Sequence, residues 1–221
     1  MRPSPSLRRW AARVAVLFAA AVTCLATGVV AANAHGTVVG PSSRNYSCLQ
    51  RWQSNFWDGT MATKDPMCWQ AWQDNSSAMW NYMSLYRNGL GGDFQNKIPN
   101  GQLCSGGRAD NGYYKSLDTV GDWKATDIRN SFTVTMNDEA RHGADYLMVY
   151  VTKPGFDPTR QALTWGDLQL LTKTGRYSPA QSYTMNLSTS GRSGRAMIFT
   201  IWQASHTDQA FFFCSDVNFV G

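Results

Sequence analysis

Three histidines, His35, His142 and His206, are the only imidazoles in a chain of 221 residues, and the first stands where a secretory leader would be cut. Residues 1–34 place Arg2, Arg8, Arg9 and Arg13 ahead of an apolar run from about Val14 to Val30. Ala32-Asn33-Ala34 then supplies the small-x-small cleavage pattern. Cutting after Ala34 gives His35 a free α-amine beside its ring Nδ1, so one residue offers two nitrogens spaced to chelate one ion. The amine's ordinary pKa of about 7.7–8.0 makes loss of its proton to a metal inexpensive near neutral pH. A second histidine would complete a T-shaped set of three nitrogens. Such a set with open positions suits copper, and zinc is the rival, favouring a tetrahedral site with a carboxylate or another histidine. His206 is a candidate for that extra ligand; its neighbours Ser205, Thr207 and Asp208 equally suit a polar surface turn.

Other catalytic chemistries find less support. Glu139 is the only glutamate, so a glycosidase pair would have to recruit aspartate. Asp138 and Glu139 are adjacent and would point to opposite faces of a strand, and Ser205-His206-Asp208 is too local for a catalytic triad. All of these read as solvated loop residues. Removing the four leader arginines lowers the formal charge from +5 to about +1, which gives no basis for nucleic-acid binding. No later apolar stretch approaches the ~18 residues needed to span a bilayer, so the expectation is a secreted protein with no membrane contact after cleavage. Arg8-Arg9 after Ser6-Leu7 is a partial twin-arginine pattern, and the export route stays open. Cys24 falls in the leader. Cys48, Cys68, Cys104 and Cys214 remain, an even number that suggests two disulfides with three possible pairings; a thiolate metal site is disfavoured by the absence of any C-x-x-C pair.

The elements that must hold these residues are mostly strands. Gly36 to Gly40 reads as a short strand ending at Pro41. Alternation recurs over Phe132–Met136, Tyr146–Val151, Tyr183–Leu187, Met197–Trp202 and Phe211–Val220. Between Cys48 and Gly112 the chain is irregular and aromatic. Asp65-Pro66 there resembles an N-cap with proline opening a helix, and Thr164 to Leu168 suggests one helical turn. Without repeats or a linker, residues 35–221 are expected to form one all-β domain, a β-sandwich with a long, partly helical insertion between the first strands.

The chain resembles the bacterial lytic polysaccharide monooxygenases of auxiliary-activity family ten. The resemblance rests on His35-Gly36, Pro41-x-Ser43-Arg44-x-Tyr46-x-Cys48 and Gly101-Gln102-Leu103-Cys104-Ser105-Gly106-Gly107. It continues through Ala140-Arg141-His142, Tyr150 to Phe156, Ser190 to Gly194, Ile201-Trp202, Phe211 and Cys214-Ser215-Asp216-Val217. It implies a fibronectin III/immunoglobulin-like sandwich and disulfides Cys48–Cys68 and Cys104–Cys214. It also implies one copper ion held by His35 and His142, a "histidine brace", with O2 or H2O2 as co-substrate and an external electron donor. Phe211 falls where a ring shields one axial side of the ion, Ala140 where a small side chain crowds the other. Gln209 replaces a glutamate common in relatives, and a glutamine can hydrogen-bond there but cannot relay a proton.

A metal at a chain terminus serves a face rather than a deep pocket. Trp80, Asn81 and Tyr82, with His206 and Thr207, are the residues expected on that face. The implied reaction is oxidative cleavage of β-1,4 bonds in insoluble polysaccharide by a monomer. Met79 to Gly89 is nearest the cellulose-active branch, with C1 and a second C4 position; Met83 and Ser84 depart from that branch, and chitin is a further substrate. Two alternatives are a non-catalytic chitin- or cellulose-binding protein and a secreted copper carrier.

Overall fold

The computed structural model describes residues 35–57 and 59–221; the expected leader, with Cys24, lies outside the described residues. Among these, the strands in chain order are β1 (Gly36–Gly40), β2 (Tyr86–Asn88), β3 (Thr126–Ile128), β4 (Ser131–Asp138), β5 (Ala144–Thr152), β6 (Leu168–Lys173), β7 (Ser182–Ser188), β8 (Gly194–Ala204) and β9 (Gln209–Phe219). One sheet runs β1-β4-β7 and is antiparallel. The larger runs β2-β9-β8-β5-β6, with β3 joined in parallel to β9.

The burial of each strand follows from what covers it. β4 and β7 alternate, sending Val134, Met136, Tyr183 and Met185 into the space between the sheets. β8 and β9 are buried almost continuously, because the larger sheet is covered on both faces. Ile198, Trp202, Phe211 and Phe213 meet the smaller sheet. Met197, Phe199, Ile201, Phe212 and Cys214 point the other way, into a second apolar cluster formed with the insertion. The expected sandwich is therefore the observed fold, and the insertion lies along the outer face of the larger sheet.

Short helices organise the insertion: Arg44–Trp52, Met61–Lys64, Pro66–Asp74, Ser77–Trp80 and Phe94–Lys97. Pro66 does open a helix, but Asp65 does not cap it with its side chain. Its carboxylate instead accepts from Arg51 Nε (2.7 Å) and Trp52 Nε1 (2.9 Å). Disulfides Cys48–Cys68 and Cys104–Cys214 form as the resemblance implies, the second fastening the insertion to β9. Beside it Arg44 pairs with Asp216 at 2.7 Å, both buried. Arg44 also donates to Leu117 O and lies over the Trp123 ring. These staples give shape to a segment with little regular structure.

Candidate metal centre

His35 directly precedes β1, and two backbone bonds hold its neighbourhood. Glu139 N–H donates to His35 O at 2.8 Å, and Gly36 N–H donates to Met83 O at 3.2 Å. The first residue of β1 pairs with Asp138 at the end of β4. There the chain turns sharply. Arg141 N–H bonds Asp138 O, with Arg141 at φ 54° and Gly143 at φ 78°. A left-handed conformation at Arg141 is uncommon for a residue with a side chain, and the turn it closes returns His142 over Asp138. The end of β8 fixes the turn from below: Ser205 Oγ donates to His142 O (2.7 Å) and Trp202 Nε1 to Gly143 O (3.1 Å). The single backbone bond from Glu139 thus ties His35 to the turn that carries His142.

Asp138 corrects the sequence reading, which treated it with Glu139 as solvated. The pair does point to opposite sides, but only Glu139 is exposed; Asp138 has no exposure at all. Its Oδ2 accepts from Gly143 N–H (3.0 Å) and Tyr183 OH (3.1 Å), and Oδ1 lies 3.4 Å from His142 Nδ1. Burial and the adjacent Asp138 carboxylate raise the Tyr183 phenol, so it stays a donor. A carboxylate facing Nδ1 selects the Nδ1–H tautomer and leaves Nε2 as the imidazole's ligating atom. The i,i+4 spacing of Asp138 and His142 was the available sequence signal.

The structure brings His206 into no three-ligand cluster among the described residues. Its ring lies tilted against that of His142, at 33° with centroids 3.8 Å apart. An ion held by His35 and His142 therefore needs the residue-35 nitrogen as its third protein donor, the nitrogen that trimming would expose. Phe211 is fully buried, stacked on Trp202 at 4.4 Å and 5.3 Å from Tyr86. Gln209 is also buried, and its Oε1 has no hydrogen-bond partner among the described residues. An unsatisfied buried amide oxygen is costly unless a ligand or water meets it. Two imidazoles and a terminal amine are a nitrogen donor set that fits a copper centre.

The expected face is only partly assembled around His35. Tyr82, Met83, Glu139 and Ala140 share an open cleft of about 520 Å³ with it. Asn81 lines a separate cavity of about 630 Å³ with His35, Tyr86, Arg87 and Tyr113, and donates to Tyr113 OH at 2.6 Å. Burial, then the neighbouring Tyr46 and Glu139, raise the Tyr82 phenol. Trp80 is half exposed and rests on Phe56 at 4.9 Å. His206 and Thr207 line another hollow with Asp145, Tyr146 and Asp208. Trp57 was missed by sequence reasoning. It is 87% exposed and edge-on to Trp72; nothing local distinguishes it from the more buried Trp52, Trp69 and Trp72.

Residues 35–217 match the family described as "Lytic polysaccharide mono-oxygenase, cellulose-degrading". A lytic cellulose monooxygenase from Streptomyces ambofaciens is 32% identical over 96% of this chain. The match covers 60% of that protein, so the chain spans about three-fifths of the relative's length. The zinc complex of ScLPMO10B is 59% identical with a TM-score of 0.83, covering 84% of this chain and all of that one. The copper complex of the cellulose-active CelS2 (ScLPMO10C) is 29% identical with a TM-score of 0.73, covering 85% of this chain and all of that one.

Proposed function

This chain belongs to the lytic polysaccharide mono-oxygenases, and from that premise we propose that it is a secreted, monomeric copper enzyme that cleaves β-1,4 bonds of insoluble polysaccharide oxidatively. The observation that carries the proposal is the 2.8 Å bond from Glu139 N–H to His35 O, which joins the residue that trimming would expose to the His142 turn. The family match beginning at residue 35 supports that trimming point. No helix among the described residues is long and apolar enough to cross a membrane. The family description and the Streptomyces ambofaciens relative support cellulose as the proposed substrate, with oxidation proposed at C1 and secondarily C4; the chitin-binding relatives make chitin the competing substrate.

In this reading His35 binds through its amine and Nδ1 and His142 through Nε2. Copper supplies the one-electron chemistry needed to use O2 or H2O2, with electrons from an external donor. The chain's own part is positional. Asp138 holds the His142 tautomer, Phe211 keeps one side of the site dry, and the small side chain of Ala140 crowds the approach from the other. Gln209 offers a hydrogen bond but no proton. Trp80 and Trp57 present the exposed ring area suited to pyranose faces, with Asn81, Tyr82, His206 and Thr207 supplying polar contacts nearer the ion.

One added alanine before His35 tests the proposal against a binding protein that needs no metal. The extended form should still bind polysaccharide and lose both tight copper binding and oxidised products. Oxidised oligosaccharides from the extended form would overturn it. So would their absence when the processed, copper-loaded protein meets cellulose and chitin with a reductant and H2O2.

A further inference from the structure

The methionines divide sharply by surroundings. Met61, Met79, Met136, Met185 and Met197 are buried in the apolar clusters, and the half-buried Met67 and Met148 pack against one of them. Met83 is half-buried and belongs to neither cluster. It lies against the metal centre by two independent observations. Its carbonyl accepts the N–H of Gly36, the residue after His35, and it lines the open cleft shared by His35, Glu139 and Ala140. Core packing does not account for a flexible, polarisable thioether at that position, where leucine would supply equal volume and greater inertness.

We propose that Met83 is an oxidation site of the metal centre, taking one oxygen atom from hydrogen peroxide when no polysaccharide covers the face. The peroxide O–O bond breaks and an S–O bond forms. The sulfur loses two electrons to become the sulfoxide, and the remaining peroxide oxygen leaves as water with both protons. The product replaces an apolar lining beside His35 with a polar, chiral group that methionine sulfoxide reductases can restore. The proposal rests on the copper reading above, because selectivity comes from activating the oxidant within reach of this sulfur.

The test uses the processed protein and the alanine-extended form, each equilibrated with stoichiometric copper and checked by cupric resonance. Both then receive reductant and H2O2 without polysaccharide, and peptide mass spectrometry follows the gain of about 16 Da at each methionine. Met83 should oxidise about tenfold faster than Met67 and Met148 in the processed protein, and that advantage should vanish in the extended form. A bound-copper signal with Met83 oxidising no faster than Met67 and Met148 overturns this inference and leaves the copper reading intact. Equal Met83 rates in both forms do the same. Absence of the copper signal from the processed protein overturns both.

Discussion

Gly36→Ala should damage the metal centre without touching a ligand. A Cβ at this position would lie 2.5 Å from Met136 Cε, 2.6 Å from Asn137 O and 2.6 Å from Trp202 Cζ3. Ordinary contact between carbons begins at about 3.5 Å, so each neighbour must retreat by roughly an ångström. Met136 can swing its terminal methyl. Asn137 O belongs to the β1–β4 ladder, and Trp202 is stacked on Phe211 and bonded to Gly143 O. The start of β1 must therefore move instead, straining the bonds from Glu139 to His35 and from Gly36 to Met83. Overpacking of this kind costs about 1–3 kcal/mol, and each backbone bond lost adds roughly 1 kcal/mol. The lower entropy of an unfolded alanine returns only about 0.4–1 kcal/mol. The expected result is a clear fall in the denaturant midpoint. Copper affinity, measured by chelator competition on the processed protein, should fall by about tenfold or more, equivalent to some 1.4 kcal/mol. A variant with unchanged midpoint and affinity would refute the reasoning that close approach of β1 to Trp202 sets the position of His35.

The remaining predictions address buried charge. Arg44→Ala should cost about 3–5 kcal/mol of stability in urea unfolding by leaving Asp216 buried and unpaired, and Arg44→Leu combined with Asp216→Leu should recover most of it. Asp138→Asn should weaken copper binding by roughly 10–100-fold, read by competition, because an amide nitrogen facing His142 Nδ1 would disfavour the tautomer that directs Nε2 outward. Asp118 has its carboxyl pushed up to about 6 by burial, against weaker opposition from its bonds to Ser105 and the charge of Arg44. As pH rises from about 4 to 6 the unfolded chain releases this proton before the folded one, so this group's contribution to stability declines and its full penalty is present above 6. Asp118→Asn should then stabilise the protein at pH 7 by about 1–3 kcal/mol and make little difference at pH 4, read by denaturation at both values.

The sandwich strands were legible because each alternates or runs apolar long enough to show its period. The strands over-looked are those whose pairing is decided elsewhere. β2 is three residues that pair with β9 through Tyr86–Phe211 to Asn88–Gln209. β3 lies parallel to β9 with two exposed residues and one half-buried. β6 alternates weakly because it edges the larger sheet. Asp65 failed as a cap for a related reason: the local pattern was right, but Arg51 and Trp52 reach its carboxylate from the Arg44–Trp52 helix.

The site divides along the same line. His35, His142, Phe211 and Gln209 could be proposed from the sequence because their residue types are rare or their surrounding motif is long. Asp138 left only its i,i+4 spacing to His142 as a signal, and Met83 and Trp57 left none, since an aspartate, a methionine and a tryptophan acquire their roles only from what surrounds them. Asp138 matters because Tyr183, distant in sequence, and Gly143, five residues on, both donate to one of its oxygens. That dependence makes the centre more sensitive to its supports than the ligand types alone suggest. In the proposed centre two histidines and a terminal nitrogen define what ion can bind; a glycine that accommodates Trp202 and a buried aspartate determine whether those nitrogens meet at one point.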